Sequence, residues 1–407
     1  MAKSDSAGRQ LSEAELQELV AASDAGGRSP TGAVATFLAA VALLWSLFQV
    51  VLASPLANVI LPGDIINNSR QIHLAFAIFL AFLAYPALST SPRRYIPVQD
   101  WVMAGVGAFI ALYGYVFYQK IVDSGGLADD VDKWFALVGL ILLFEAARRA
   151  LGPAMAIIAT IFLAYVFFGS SEWIPEVIRW KGASLKKAMS HMWITSEGVF
   201  GIALGVSTKF VFLFVLFGAL LEKAGAGNYF IKMAFGALGH LRGGPAKAAV
   251  VGSAATGLIS GSSIANVVTT GTFTIPLMKR VGFSSEKAGA VEVASSVNGQ
   301  IMPPVMGAAA FLMVEYVGIS YVEVITHAFL PAVISYMALV YIVHLEAVKR
   351  NLPTLGNKVT SLARTIFGMF LFFAGFAALC YGVQFPVRAI VSMVPEGAGW
   401  ILSALVA

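Results

Sequence analysis

The chain has 407 residues, 58% of them hydrophobic and only 12% charged, with a mean hydropathy of +0.80; soluble domains carry roughly twice that charge. A single soluble core is excluded, and the chain reads as an all-α polytopic membrane protein with room for at most about a dozen crossings of about 20 residues each. The net charge of +5 has the size of a cytoplasmic-loop bias, so no nucleic acid is expected as a partner, and one cysteine, Cys380, can form no internal disulfide.

Residues 1–30 carry Asp, Glu, Ser and Gly with a helical patch over 11–20. They lack the apolar core and small-residue cleavage site of a signal peptide, which predicts a polar cytoplasmic tail. Apolar runs of helix length follow at 31–53, 73–88, 101–118, 134–147 and 153–168. Arg93-Arg94 and Arg148-Arg149 alternate with an acidic loop holding Asp123, Asp129, Asp130 and Asp132, a pattern that predicts the N-terminus inside. Residues 171–197 place Trp173, Trp180 and Trp193 among Arg179, Lys181, Lys186 and Lys187, with Leu185, Met189 and Met192 at helical spacing. This reads as an interfacial linker with aromatic anchors. On the N-in count the linker is extracytoplasmic, and its basic residues oppose the positive-inside rule.

A long apolar helix is predicted from 201 to 221. After it, residues 228–242 put Tyr229, Phe230, Met233, Ala234, Ala237, Leu238 and Leu241 on one face of an amphipathic helix. Ordinary helices resume at 321–344 and 365–383, and 390–407 is apolar to its end.

Between them, residues 245–304 are rich in Gly, Ser, Thr and Ala. Gly257-Leu258-Ile259-Ser260-Gly261-Ser262-Ser263-Ile264-Ala265-Asn266 separates two apolar half-spans, 246–259 and 267–278, each too short to cross alone. Lys247 before the first and Lys279-Arg280 after the second draw both ends to the cytoplasmic side, so the pair reads as a re-entrant hairpin. A second break lies at Ser295-Ser296-Val297-Asn298-Gly299-Gln300-Ile301-Met302-Pro303-Pro304, where two prolines remove backbone donors and Gly299 permits unusual dihedrals. An unpaired N–H or C=O in hydrocarbon costs several kcal/mol, so non-helical backbone at that depth survives around a polar cavity or an ion.

Hydroxyls, amide oxygens and freed carbonyls are hard, neutral ligands that suit a weakly held Na⁺. The tip residues Ser260, Gly261, Ser262 and Asn266 are expected to meet Ser296, Asn298 and Gly299 and to supply that ion's ligands. Close helix packing by small residues accounts for Gly252, Ala254, Ala255 and Gly257 but not for Asn266, Asn298 or the proline pair.

Elsewhere, His73, His191, His240, His327 and His344 are scattered without metal-ligand spacing, and no nucleophile motif or phosphate loop occurs. Glu145 and Glu222 read as interfacial carboxylates at helix ends, whereas Glu292 and Glu315 flank the second break, where an acid can also relay protons. The paired breaks favour a transporter over a channel-like subunit, a scaffold or a membrane-embedded enzyme.

At these residues the sequence resembles the membrane component of tripartite ATP-independent periplasmic (TRAP) transporters, specifically the fused permeases that work with TAXI-type binding proteins. The resemblance lies in residues 257–266, in Ile275-Pro276-Leu277-Met278-Lys279-Arg280, and in Gly299-Gln300-Ile301-Met302-Pro303-Pro304-Val305-Met306-Gly307-Ala308-Ala309-Ala310-Phe311. These look like the family's first hairpin and broken helix.

The resemblance implies a four-helix, small-subunit-like domain at 31–150, a fifth helix and linker at 151–200, and the first half of a transport domain at 201–407. It implies an ion-transporter-like fold with one hairpin and one broken helix. It also implies Na⁺-driven uptake of an organic anion across a bacterial or archaeal cytoplasmic membrane, with a TAXI-type extracytoplasmic binding protein as partner. No cofactor is implied beyond the coupling ion, and Ser263, Asn298, Pro303 and Pro304 are the expected substrate contacts. The family carries two inverted repeats of hairpin and broken helix. Only the first set is found here, so the chain is expected to be an N-terminal portion whose partner is the remaining half.

Overall fold

The computed structural model describes residues 27–54, 56–88, 90–124 and 129–352, with isolated helical positions between 367 and 382. The predicted patch at 11–20, Cys380 and the run at 390–407 lie outside the described residues, as does 365–383 apart from those isolated positions. Among the described residues every regular element is a helix. They form two compact units that divide between Lys209 and Phe210.

The first unit contains α1 (Ala33–Ala53), α2 (Ser69–Ala84), α3 (Val98–Val116), α4 (Asp130–Leu151) and α5 (Pro153–Phe168). Its core is the seam where α2, α3 and α4 meet, filled by Ile78, Phe82, Leu83, Ala104, Ala111, Ala136 and Leu140. Alanines on the facing stripes let the helices approach closely. The outer surfaces are apolar: α1 exposes Leu43, Leu44 and Leu47, and α5 exposes Ile157, Ile158, Ile161 and Phe162. Contiguous apolar surface of this kind is a lipid-facing surface.

The acidic loop has a local purpose. Asp129 caps α4 by accepting from the Asp132 amide at 2.7 Å, and Asp132 accepts in return from the Asp129 amide at 2.9 Å. The Asp132 amide and the Lys120 ammonium hold the Asp129 carboxyl down at about 2. That cap is complete above the ordinary carboxylate range and is lost as pH falls towards 2. At the other end of α4 sits a buried charge cluster. Asp100 accepts from Arg149 Nη1 at 2.8 Å and pairs with Arg28. Arg28 also reaches the carbonyls of Phe82 and Leu83, and Arg149 Nε reaches Glu145 at 2.7 Å.

One expectation fails here. Trp193 is not an interfacial anchor: it is 2% exposed in the core of the first unit, with Nε1 donating to the Ile110 carbonyl at 3.3 Å. The segment Leu185–Met189 and the π-turn Ser190–Ile194 fold Met189 and Trp193 inward, while Trp173 stays exposed. The burial of a large aromatic surface outweighs interfacial placement once its N–H finds a carbonyl.

The second unit contains α6 (Phe212–Lys223), α7 (Ala226–Leu238), α8 (Gly244–Ser260), α9 (Ser263–Arg280), α10 (Ser285–Asn298), α11 (Ala308–Met313) and α12 (Tyr321–Lys349). By length and composition, Ala33–Ala53, Ile202–Lys223 and Tyr321–Lys349 suffice to cross a membrane. The buried stripe of α7 is Gly227, Phe230, Ile231, Ala234 and Ala237, not the expected set: Tyr229 is exposed and Leu241 lies beyond the helix end. The hairpin helices α8 and α9, of 17 and 18 residues, outrun the expected half-spans. Gly244-Pro245 starts α8 in a proline-compatible first turn, and Ser262 caps α9 by accepting from the Ala265 amide at 3.3 Å.

Removing the acid at the centre of the first unit's charge cluster leaves, among the described residues, the buried Arg28 guanidinium with carbonyl partners only and Arg149 with Glu145 as its sole acid, at a cost of about 3–5 kcal/mol. Asp100→Ala should therefore lower the melting temperature of the detergent-purified protein far more than Asp130→Ala, whose side chain is 84% exposed. Equal melting temperatures would show that the cluster contributes nothing net.

Candidate functional site at the hairpin and the broken helix

The tip of the hairpin between α8 and α9 is two residues, Gly261 and Ser262. Gly261 adopts φ +59° to end α8, and a Cβ there would stand 2.3 Å from the Met306 carbonyl oxygen, so the tip rests on the backbone of the second break. Ser260 Oγ donates to the Ser262 carbonyl at 3.3 Å, and Ser262 itself is exposed. Ser263 Oγ accepts from Gln300 Nε2 at 3.0 Å, a second tie between tip and break.

The break begins after α10 with a 3₁₀ turn at Gly299–Ile301, passes through a cis Pro303-Pro304 bond and resumes as α11. Its freed backbone groups are largely answered internally. The Gly307 amide donates to the Gln300 carbonyl at 2.7 Å, and the Tyr321 hydroxyl of α12 covers the carbonyls of Pro304 and Val305. Pro303 is buried and Pro304 exposed.

Deeper in, α8 and α10 cross at glycine. A Cβ on Gly257 would stand 2.7 Å from Gly299 Cα, so the two backbones touch. Beside this crossing lies a chain of polar groups. Asn266, 1% exposed, donates from Nδ2 to the Ser253 carbonyl at 3.0 Å and to Ser253 Oγ at 3.1 Å. Ser253 Oγ lies 3.2 Å from Ser296 Oγ, which donates to Glu292 Oε1 at 3.3 Å. Because a carbonyl only accepts, the amide nitrogen of Asn266 must face Ser253. Its Oδ1 therefore faces away, and it has no hydrogen-bond partner.

That side chain lines a small cleft between the hairpin and α6, shared with Thr256, Ser260, Thr269 and Glu222. The cleft has room for about one water-sized group. Glu222 is exposed at its rim and accepts from Thr269 Oγ1 at 2.9 Å. Asn266 Oδ1, the hydroxyls and this carboxylate are hard oxygen donors, a set suited to an alkali or alkaline-earth cation. Among the described residues no three His, Cys, Asp or Glu side chains converge.

Of the residues expected at the ion site, the structure joins Asn266 and Ser296 through Ser253 and sets Gly299 against Gly257. It puts Ser260 on the cleft, Gly261 on Met306, and Ser262 at the exposed cap of α9. Asn298 is half-buried at the end of α10. Ser253, Thr256 and Thr269 are not singled out by the sequence reading, which groups this stretch as packing residues. A signal for α9 does exist: Asn266, Thr270 and Thr274 recur every four residues and form one polar stripe towards Glu292.

Residues 137–389 match the family described as the tripartite ATP-independent periplasmic transporter, DctM component. The chain belongs to the DctM family. Membership makes it a multi-pass protein of the inner membrane, in keeping with its apolar helices. The C4-dicarboxylate TRAP transporter large permease protein DctM of Vibrio cholerae is 29% identical over 143 residues, 34% of this chain and 30% of that protein. The protein of the same description from Rhodobacter capsulatus is 34% identical over 91 residues, 22% of this chain and 21% of its own length. An uncharacterised protein of Sinorhizobium fredii is 29% identical over 138 residues, covering 34% and 32%. This DctM-family chain thus spans about a third of the length of the curated relatives it matches.

The glycine crossing yields a direct test. Gly257→Ala must push α8 off α10, an overpacking cost of about 1–3 kcal/mol, whereas at Gly289 an added Cβ meets nothing within 4 Å. Gly257→Ala should lower the melting temperature in detergent and Gly289→Ala should not; equal melts would mean that the two backbones do not touch.

Proposed function

We propose that the permease containing this chain couples the uptake of an organic anion to the entry of Na⁺, the anion being handed over by an extracytoplasmic binding protein of the TAXI type. Membership of the DctM family supports the transport class, and the dicarboxylate named for two relatives supports an anionic substrate. The remaining half of the permease would complete the site.

The observation that carries the ionic part is the buried, unpartnered Oδ1 of Asn266, a residue that lines a small, mostly apolar cleft with Thr256, Ser260, Thr269 and Glu222. A buried acceptor without a donor costs about 1–3 kcal/mol, and a cation removes that cost. Ser260, Gly261 and Ser262 at the tip, with Ser296, Asn298 and Gly299 at the break, are the further oxygens assigned to coupling ions. Four to six neutral oxygens hold a monovalent ion loosely enough to release it. Ser263, Asn298, Pro303 and Pro304 are assigned to the substrate, which would meet the protein where Gln300 ties the tip to the break.

The test is uptake of a radiolabelled C4-dicarboxylate by proteoliposomes holding the whole permease and its binding protein. Uptake should require an imposed Na⁺ gradient, and Asn266→Ala should raise the Na⁺ concentration for half-maximal rate about tenfold, the size of one charge-assisted contact. Uptake that persists without a cation gradient would exclude the mechanism; an unchanged Na⁺ dependence in Asn266→Ala would exclude the residue.

A further inference from the structure

Glu292 is the largest unexplained polar group in the second unit. It is 0% exposed, and among the described residues it makes no ion pair. Its partners are hydroxyls: Thr270 and Ser296 donate to Oε1, and Thr274 donates to Oε2. The charged and titratable groups on the packed elements are otherwise engaged. Lys247 of α8 contacts His344 of α12 at 3.0 Å, and Lys287 of α10 pairs with Glu346 of α12. Lys279 and Arg280 stand in the last turn of α9. Tyr336 of α12 spends its proton on the Ser295 carbonyl at 2.8 Å.

A buried carboxyl group without an ion pair and a buried acceptor without a donor sit on residues joined by hydroxyl contacts. Thr270 Oγ1 links the two residues, contacting the main-chain carbonyl of Asn266 at 2.7 Å and Glu292 Oε1, while Asn266 Oδ1 itself stays bare. The Ser253 and Ser296 hydroxyls bridge them a second time. In a medium of low dielectric constant a single positive charge beside Asn266 stabilises a carboxylate one hydroxyl away, because Coulomb interactions fall slowly there. Hydroxyls alone give hydrogen bonds but no net charge.

We infer that Glu292 is the counter-charge for the monovalent cation held at Asn266, acting through space rather than as a direct ligand. This rests on the cation reading of the cleft given above. It adds a buried charged positioning residue to a site whose other carboxylate, Glu222, is exposed at the rim of the cleft, and it gives Glu292 a purpose other than tying α9 to α10.

The experiment is equilibrium binding of ²²Na⁺ to the full chain in nanodiscs at constant ionic strength, with the ammonium salt of a bulky amine replacing Na⁺. Glu292→Gln keeps an acceptor and nearly the same volume while removing the charge; the threonine hydroxyls can accept from its NH₂ because each also has a carbonyl to donate to. It should weaken Na⁺ binding about tenfold or more, the size of one charge-assisted contact, at an unchanged melting temperature. Glu292→Asp, which restores the charge, should recover most of the affinity and keeps the test decisive if Glu292→Gln does not fold.

Na⁺ affinity of Glu292→Gln within about twofold of the parent, well short of one charge-assisted contact, would overturn the inference while leaving the Asn266 site intact. So would Glu292→Asp losing affinity as fully as Glu292→Gln. Absence of saturable Na⁺ binding by the parent chain would overturn both readings together.

Discussion

Hydrocarbon offers no hydrogen bonds, and the second unit is organised by that fact. Wherever its helices stop short, each exposed backbone group has to be answered from inside the protein. Ser262 answers the start of α9, the Gln300 carbonyl takes the Gly307 amide, and the hydroxyl of Tyr321 serves two carbonyls of the proline turn. These local answers allow irregular chain to exist at depth, and beside them Asn266 Oδ1 is left without a partner.

The answers work only because the two irregular segments are pressed together. Contact between Gly257 and Gly299 removes any side chain from the crossing and brings three helices within reach of short polar groups. Serine and threonine side chains are short, so the relay from Asn266 to Glu292 requires backbones at that spacing. Larger residues at the crossing would separate the helices and break the relay at the Ser253 to Ser296 step. The small-residue texture is thus what makes the polar network possible.

Much of this is legible in the sequence, and the reasons differ by element. The hairpin shows itself because Ser, Gly and Asn interrupt apolar sequence between basic flanks, and the second break because Pro303-Pro304 cannot continue a helix. The extent of α8 and α9 is less legible, since glycine and hydroxyl residues that read as breakers become helical once their polar groups are paired across the hairpin. Trp193 is misread because tryptophan near lysine suits an interface equally well, and only the Ile110 carbonyl decides otherwise. Ser253 is invisible for a simpler reason: one serine among alanines carries no periodic signal, and its importance comes entirely from what it faces.

The broken helix has a splint. α12 runs alongside it for 29 residues and is fastened to it at three heights: Glu346 to Lys287 near the beginning of α10, Tyr336 to the Ser295 carbonyl in its last turn, and Tyr321 to the proline turn beyond. Between the second and third fastenings α12 contains Pro331, whose missing amide leaves the His327 carbonyl without its helical partner. The lower part of the splint is therefore stiff and the upper part carries a built-in knee. Any flexing of the proline turn relative to α10 is directed to that knee, so the two sides of the break can change their angle while each stays clamped to its own stretch of α12.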